Sequence, residues 1–332
     1  MRVLFIGGTG NISTSVSRLA VERGHELYLL NRGNRDIDIP GAKSITADIN
    51  EPDKVRKALG DLRFDTVVNW IAFAPSDIER DIELFTGRTD QYIFISSASV
   101  YQKPATTHII TESTPLVNPH WEYSRNKIAC EDRLMLELRE RGFPITIVRP
   151  SLTYGDQLIP LVINSWNKSY TAVDRIKRGK KVIVPGDGNS LWTITHSDDF
   201  AKGFVGLLGN QRAIGHAFHI TSDEVLTWNQ IYNEVGRAVG VEPKIVHIAS
   251  DTIAKFYPWE EGSLHGDKAV SAVFDNAKIK SFVPDFTATI TWAEGMRRAI
   301  AWYEAEPGRI QIDDESNASW DKTIEAYERI LA

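Results

Sequence analysis

Cysteine is almost missing from this chain: 332 residues carry one, Cys130. A lone thiol excludes an internal disulfide framework and suits a reducing compartment, so a cytoplasmic location is expected. No apolar run approaches the roughly 20 residues of a membrane-spanning helix, and no membrane partner is expected. A leader peptide is not expected either, because glycine interrupts the first apolar run at Gly7. Positive charge is in deficit: 38 Lys and Arg against 44 Asp and Glu leave a net charge of −6 at pH 7. That balance argues against a nucleic-acid surface, which needs a basic face. Repeats and low-complexity tracts are absent as well. What remains is a soluble globular composition, long enough for one large domain or two lobes.

What is present begins at the N-terminus. Val3-Leu4-Phe5-Ile6 reads as a buried strand, Gly7-Gly8-Thr9-Gly10 as a tight turn, and Asn11-Ile12-Ser13 opens an amphipathic run reaching about Arg23. Glu26 to Leu30 reads as a second strand and completes a β-α-β unit. Glycines let backbone approach a pyrophosphate closely, and a helix N-terminus offers free N–H groups and a favourable dipole. A glycine turn without any ligand would read the same way. Further apolar strand candidates lie near 66–71, 91–96 and 145–148, with helix-like segments between them. Strands alternating with helices predict an α/β fold on a doubly wound parallel sheet. That sheet is expected over 1–155, with a smaller C-terminal substrate lobe and closing helices over 156–332. Within 181–221, the runs Lys181–Val184 and Ala217–Thr221 are expected to return to the main sheet.

The densest chemistry lies at Tyr123-Ser-Arg-Asn-Lys127, read with Ser96-Ser97-Ala98-Ser99-Val100-Tyr101 upstream. A helix is predicted over His120–Arg141, stopped by Gly142 and Pro144. Tyr123 and Lys127, four residues apart, then share one helix face. An ammonium near a phenol favours the phenolate and lowers its pKa toward usable acid/base chemistry. Ser97, at the end of the apolar run Tyr92-Ile93-Phe94-Ile95, could orient a substrate oxygen. Long helices carry a Tyr-x-x-x-Lys by chance, so its weight comes from the glycine turn upstream. Cys130 follows on the same helix and is expected to pack rather than react. His216-x-x-His219 has no companion ligands, so no metal is expected. His196, Asp198 and Asp199 are expected to cap the helix that follows them.

In this order the pieces resemble the short-chain dehydrogenase/reductase superfamily, in its extended or atypical extended-like branch, the NAD-dependent epimerase/dehydratase family. The branch's Gly-x-x-Gly-x-x-Gly turn is matched by Gly7 and Gly10, with Ser13 where a third glycine is usual. The family's catalytic Ser/Thr, Tyr and Lys fall on Ser97, Tyr123 and Lys127, and Ser97 precedes Tyr101 by the family's spacing. Arg149-Pro150 with Tyr154-Gly155, and Gly186-Asp187-Gly188 with Asp198-Asp199, are similar to later family segments. The resemblance implies a Rossmann fold and a nicotinamide cofactor held by Gly7, Gly10, Asn11, Ile12, Asn31, Arg32, Arg35, Asp48, Ile49, Ala72, Tyr123, Lys127 and Pro150. It places Ser97 and Trp192 toward the substrate; Trp121, adjoining Tyr123, could line the same pocket or equally pack. Tyr123 would exchange the hydroxyl proton, Ser97 would bind the same oxygen, and Lys127 would tune Tyr123 and anchor the nicotinamide ribose.

Two departures bear on cofactor and substrate. Asn31-Arg32-Gly33-Asn34-Arg35 ends the second strand without the carboxylate that would prefer a ribose 2′-hydroxyl, so NADP is favoured over NAD. Ala98-Ser99 follow Ser97 where sugar dehydratases carry Asp-Glu, which leaves hydride transfer at a carbinol or ketone of a sugar-like substrate: an oxidoreductase or an epimerase. Trp192-Thr193 stands where nucleotide-sugar enzymes carry a diphosphate-gripping Arg-Asp pair. A sugar without a nucleotide is therefore expected, with Trp192 as an apolar wall. If Lys168, Arg175 or Lys177 grips a diphosphate instead, a UDP-sugar 4-epimerase is the alternative. A homodimer is compatible with either reading. The alternative of another class is a non-catalytic NAD(P)-binding sensor or RNA-binding protein on the same fold, as in chloroplast relatives; the retained Ser97, Tyr123 and Lys127 weigh against it.

Overall fold

The computed structural model describes residues 1–33 and 37–331. Six strands appear early: β1 (Arg2–Ile6), β2 (Glu26–Asn31), β3 (Lys43–Thr46), β4 (Thr66–Asn69), β5 (Tyr92–Ile95) and β6 (Ile145–Arg149). Four short ones follow: β7 (Leu152–Tyr154), β8 (Lys181–Pro185), β9 (Leu191–Trp192) and β10 (Ile194–His196). Then come β11 (Ala217–His219), β12 (Leu226–Thr227) and β13 (Lys244–Ile248). Seven of these form one fully parallel sheet in the order β11-β6-β5-β4-β1-β2-β3. The strand sequence reverses direction between β1 and β4, which opens a crevice at their carboxyl ends.

The apolar runs explain the sheet. β4, β5 and β6 are buried along their whole length, as parallel strands covered on both faces must be. Helices α1 (Ser13–Glu22), α2 (Pro52–Leu59), α3 (Pro75–Phe85) and α4 (Glu122–Arg141) supply the cover. One core joins α1 and the helix Ser197–Val205 to one sheet face; a second joins α2, α3 and α4 to the other. Cys130 is buried in that second core, where desolvation pushes its thiol up to about 12, and it packs as expected. Gly142 ends α4 in the left-handed region at φ 70°, where glycine carries no Cβ penalty. No helix among the described residues is long and apolar enough to cross a membrane.

A third core joins Ala98, Tyr101, Ile110 and Tyr154 to residues between Ile159 and Ile324. There β10 pairs with β7, β12 with β9 and β13 with β8, each as a separate two-stranded sheet. Ala217–His219 does return to the central sheet, beside β6. Lys181–Val184 does not. The apolar Val182-Ile183-Val184 is buried instead by pairing with β13 and by the helices Thr171–Lys177, Trp228–Val239 and Asp314–Leu331. A short apolar run reads alike whichever sheet receives it.

Candidate active site

The glycine turn sits at the carboxyl end of β1, on the crevice. Gly7 and Gly8 hold φ of 96° and 97°. A Cβ on Gly8 would lie 2.7 Å from the Leu29 side chain, so any other residue here is strained in backbone and crowded. Ser13, where a third glycine is usual, turns inward: its Oγ accepts the Gly10 N–H at 2.8 Å and tightens the turn. No side chain caps the N-terminus of α1 and no carboxylate stands in its first turn, an arrangement that suits a pyrophosphate. The Asn11 amide is committed elsewhere, donating to Thr153 O and accepting the Gly155 N–H, both at 3.0 Å. Any role of Asn11 toward a dinucleotide therefore falls to its backbone. Replacing Gly8 by alanine is expected to cost about 1–3 kcal/mol of stability through backbone strain and the Leu29 clash. Thermal unfolding checks this, and an unchanged midpoint would contradict it.

At the end of β2, Asn31 is half-buried and Arg32 exposed. The Arg32 guanidinium lies 4.0 Å from Asp48, whose other oxygen accepts the Asn50 N–H at 2.9 Å. Ile49 is buried beneath them, and Arg35 lies outside the described residues.

Beyond β4 the chain is pinned by Asn69, whose Oδ1 accepts the Ile71 N–H at 2.8 Å while its amide donates to the buried Asp81. This fixes the Ala72 carbonyl, which receives Lys127 Nζ at 2.6 Å; the Ile95 carbonyl receives it at 2.8 Å. The ammonium also lies 4.5 Å from the Phe73 ring centroid and 5.7 Å from that of Tyr123. Burial lowers the Lys127 pKa to about 8. For Tyr123, burial is the main cause and pushes the phenol up; a hydrogen bond with Ser97 opposes it. The expected depression of the phenol by Lys127 is thus not seen: desolvation dominates, and the hydrogen bonds of the ammonium go to the two carbonyls.

Ser97 caps a short 3₁₀ turn (Ala98–Val100), accepting the Ser99 N–H at 3.2 Å. Its hydroxyl is 2.9 Å from that of Ser99, which in turn accepts from Ser124 at 2.7 Å. The Pro150 carbonyl fixes the same turn through the Ala98 N–H, at 2.8 Å. Neighbouring Ser96 is used otherwise: it donates to Glu131 at 2.5 Å, which also holds Arg149. Ser97, Tyr123, Lys127, Ala72 and Pro150 are therefore brought together. The Ser99 and Ser124 hydroxyls that complete the chain had no signal in the sequence beyond proximity to Ser97 and Tyr123.

The substrate side departs from expectation at Trp192. This indole is 1% exposed, stacked on Trp228 at 5.1 Å, with the ammonium groups of Lys103 and Lys268 at 5.1 and 5.6 Å from its ring centroid. An aromatic covered by cations is no open apolar wall. Trp121 does stand at the site, 4.9 Å ring to ring from Tyr123. Lys168, Arg175 and Lys177 are engaged by the C-terminal segment, through Ile312, Asn317 with Asp321, and Glu304. His219 is buried between Tyr101, at 3.1 Å, and the Asp275 carbonyl, at 2.7 Å. His196 caps its helix by accepting the Asp198 N–H at 3.2 Å.

A parallel sheet with a glycine turn at its switch point, beside a Tyr-x-x-x-Lys helix anchored to the neighbouring strand ends, is the architecture of the Rossmann class. The family model described as the NAD dependent epimerase/dehydratase family matches residues 3–221, and the chain belongs to that family. It is 29% identical over 261 residues to the chloroplast stem-loop binding protein of 41 kDa b of Arabidopsis thaliana, covering 74% of this chain and 65% of that one. It is 26% identical over 244 residues to the 2'-dehydrokanamycin reductase of Streptomyces kanamyceticus, covering 72% and 67%. The fold matches the epimerase Mth375 of Methanothermobacter thermautotrophicus with a TM-score of 0.75 at 16% identity, over 93% of this chain and 94% of that one. The UDP-glucose 4-epimerase of Bifidobacterium longum, solved with NAD+ and UDP, gives 0.71 at 16% identity, over 93% and 100%.

Proposed function

We propose that this protein is an NAD(P)-dependent oxidoreductase or epimerase that transfers hydride at a carbinol or ketone of a sugar-like substrate, with Tyr123 as acid/base. The observation that carries this is the Ser97–Ser99–Ser124 hydroxyl chain at the start of the Tyr123 helix, beside a Lys127 anchored on the Ala72 and Ile95 carbonyls. When bound, the nicotinamide supplies or accepts the hydride. Ser97, held by the Ser99 N–H, orients the substrate oxygen. The half-buried phenol of Tyr123, its pKa pushed up, donates its proton as negative charge builds on that oxygen. A relative named as a reductase of a dehydro-aminoglycoside supports a carbohydrate ketone as substrate class. Consumption of reduced cofactor with a panel of keto-sugars, or epimerisation of the corresponding sugars with oxidised cofactor, tests the reading; neither, with dinucleotide bound, would sink it.

NADP is the proposed preference, since Asn31 carries no charge to repel a 2′-phosphate and Arg32 is exposed beside it. Its Asp48 neighbour, at 4.0 Å, is a weak competitor for an exposed guanidinium. NADP is expected to bind about tenfold more tightly than NAD, the size of one charge-assisted contact. Calorimetric titration of each dinucleotide decides it, and Asn31→Asp should move the preference toward NAD. Equal or tighter NAD binding to the wild type overturns the preference.

The second reading, a nucleic-acid-binding protein on the same fold, rests on the relative named as a stem-loop binding protein. The net charge of −6 and the assembled hydroxyl–lysine site weigh against it.

A further inference from the structure

Two lysines share one carboxylate in the lobe beside Tyr123. Lys103, from the loop after β5, pairs with Asp267, and Lys268 pairs with the other oxygen of the same carboxylate at 2.9 Å. The three side chains are 2%, 11% and 9% exposed in the order Lys103, Asp267, Lys268. Their sum is one positive charge, held almost out of water. Tying the lobe to the sheet would need one lysine; the second leaves a charge whose burial is costly unless compensated. Each ammonium has three donors and spends one on Asp267; its other contacts are with the indole rings of Trp192 and, for Lys268, Trp121, so donors of each remain without a hydrogen-bond acceptor among the described residues. The indole N–H of Trp192, the ring beneath both ammonium groups, is also buried and unpartnered.

These donors are fixed relative to the hydroxyl chain. The Asn118 amide donates to Ser99 O at 2.9 Å and to Gly266 O at 2.8 Å, joining the Ser97 turn to the residue before Asp267. Lys268 Nζ stands 6.0 Å from the Trp121 ring centroid, and Trp121 in turn touches Tyr123. The segment packs so closely that a Cβ on Gly262 would lie 2.6 Å from Trp121.

We propose that Lys103, Lys268 and the Trp192 indole N–H form a subsite for an anionic substituent, a carboxylate or phosphate, of the substrate. The inference rests on the carbohydrate reading above and names the substrate's charge. An oxyanion would meet the free donors and neutralise the cluster, while Asp267 sets the spacing of the two ammonium groups. A neutral sugar leaves the charge uncompensated.

The test is equilibrium binding to the full chain with dinucleotide present. D-glucose is compared with D-glucuronate for a carboxylate, with glucose 6-phosphate for a phosphate, and with UDP for a nucleotide diphosphate. At least one anion is expected to bind about tenfold or more tightly than glucose. Lys103→Gln and Lys268→Gln should each abolish the preference without changing dinucleotide affinity. Lys268→Gln keeps the Lys103–Asp267 pair and the backbone carbonyl that receives the Trp228 indole N–H, so it serves if Lys103→Gln does not fold. Equal Kd values for glucose and every anion, no binding included, overturn the subsite; so does a preference that survives in Lys268→Gln. Because the readout is binding, Tyr123→Phe should leave the preference intact. Failure of hydride transfer is thereby separated from failure of this subsite.

Discussion

Tyr123→Phe is expected to lower kcat by about 10²–10⁴, the usual size of a lost general acid or base. The variant removes one oxygen and little else. Its ring keeps the contacts with Trp121, at 4.9 Å, and with Phe73, at 6.4 Å, so the site's shape persists. Ser97 is held in place by the Ser99 N–H and survives the change. Dinucleotide affinity should therefore stay near wild type while turnover collapses. Steady-state kinetics with calorimetry separate the two, and near-normal turnover in the variant would remove Tyr123 from the mechanism.

Lys127→Met should damage turnover and dinucleotide binding together, by about tenfold or more in Kd if the ammonium makes a charge-assisted ribose contact. The wild-type pH dependence follows from the buried ammonium. With its pKa lowered to about 8, Lys127 loses its charge as pH rises through 8, and dinucleotide affinity should fall there. Stability moves the other way. Between about 8 in the folded chain and 10.5 in the unfolded one, the unfolded state holds the extra proton, so this group's contribution to stability rises with pH across that window and is flat below it. The methionine variant should lose both slopes. Calorimetry and thermal unfolding on either side of pH 8 test this, and an unchanged Kd in Lys127→Met contradicts the ribose role.

The parts of the site carried by local spacing could be read from the chain. Val3–Ile6 running into Gly7–Gly10 and an amphipathic helix could fold only as strand, turn and helix, and Tyr123 and Lys127 share a face because a helix has 3.6 residues per turn. β3, the edge strand Lys43–Thr46, was missing from the apolar candidates because only one of its residues is apolar and its pairing to β2 supplies the order. Lys181–Val184 was misplaced since burial against β13 demands the same residues as burial in the main sheet. Trp192 was misread for a different reason. Its cover comes from Trp228, Lys103 and Lys268, far apart in the chain, and no periodicity links them. The direction of the Tyr123 shift was likewise out of reach, because it depends on burial of the phenol and on where the Lys127 ammonium finds acceptors.

The central claim is that hydride passes between a nicotinamide and a carbohydrate carbon under control of Tyr123. It is tested most directly by supplying reduced NADP deuterated at the transferring position with a panel of neutral and anionic keto-sugars, then analysing the products by mass spectrometry. The expected result is deuterium in the alcohol carbon of at least one product with the wild type and a loss of about 10²-fold or more in its rate with Tyr123→Phe. Deuterium in no product, and no epimerised sugar when oxidised cofactor is supplied instead, from protein that binds the dinucleotide, would contradict it.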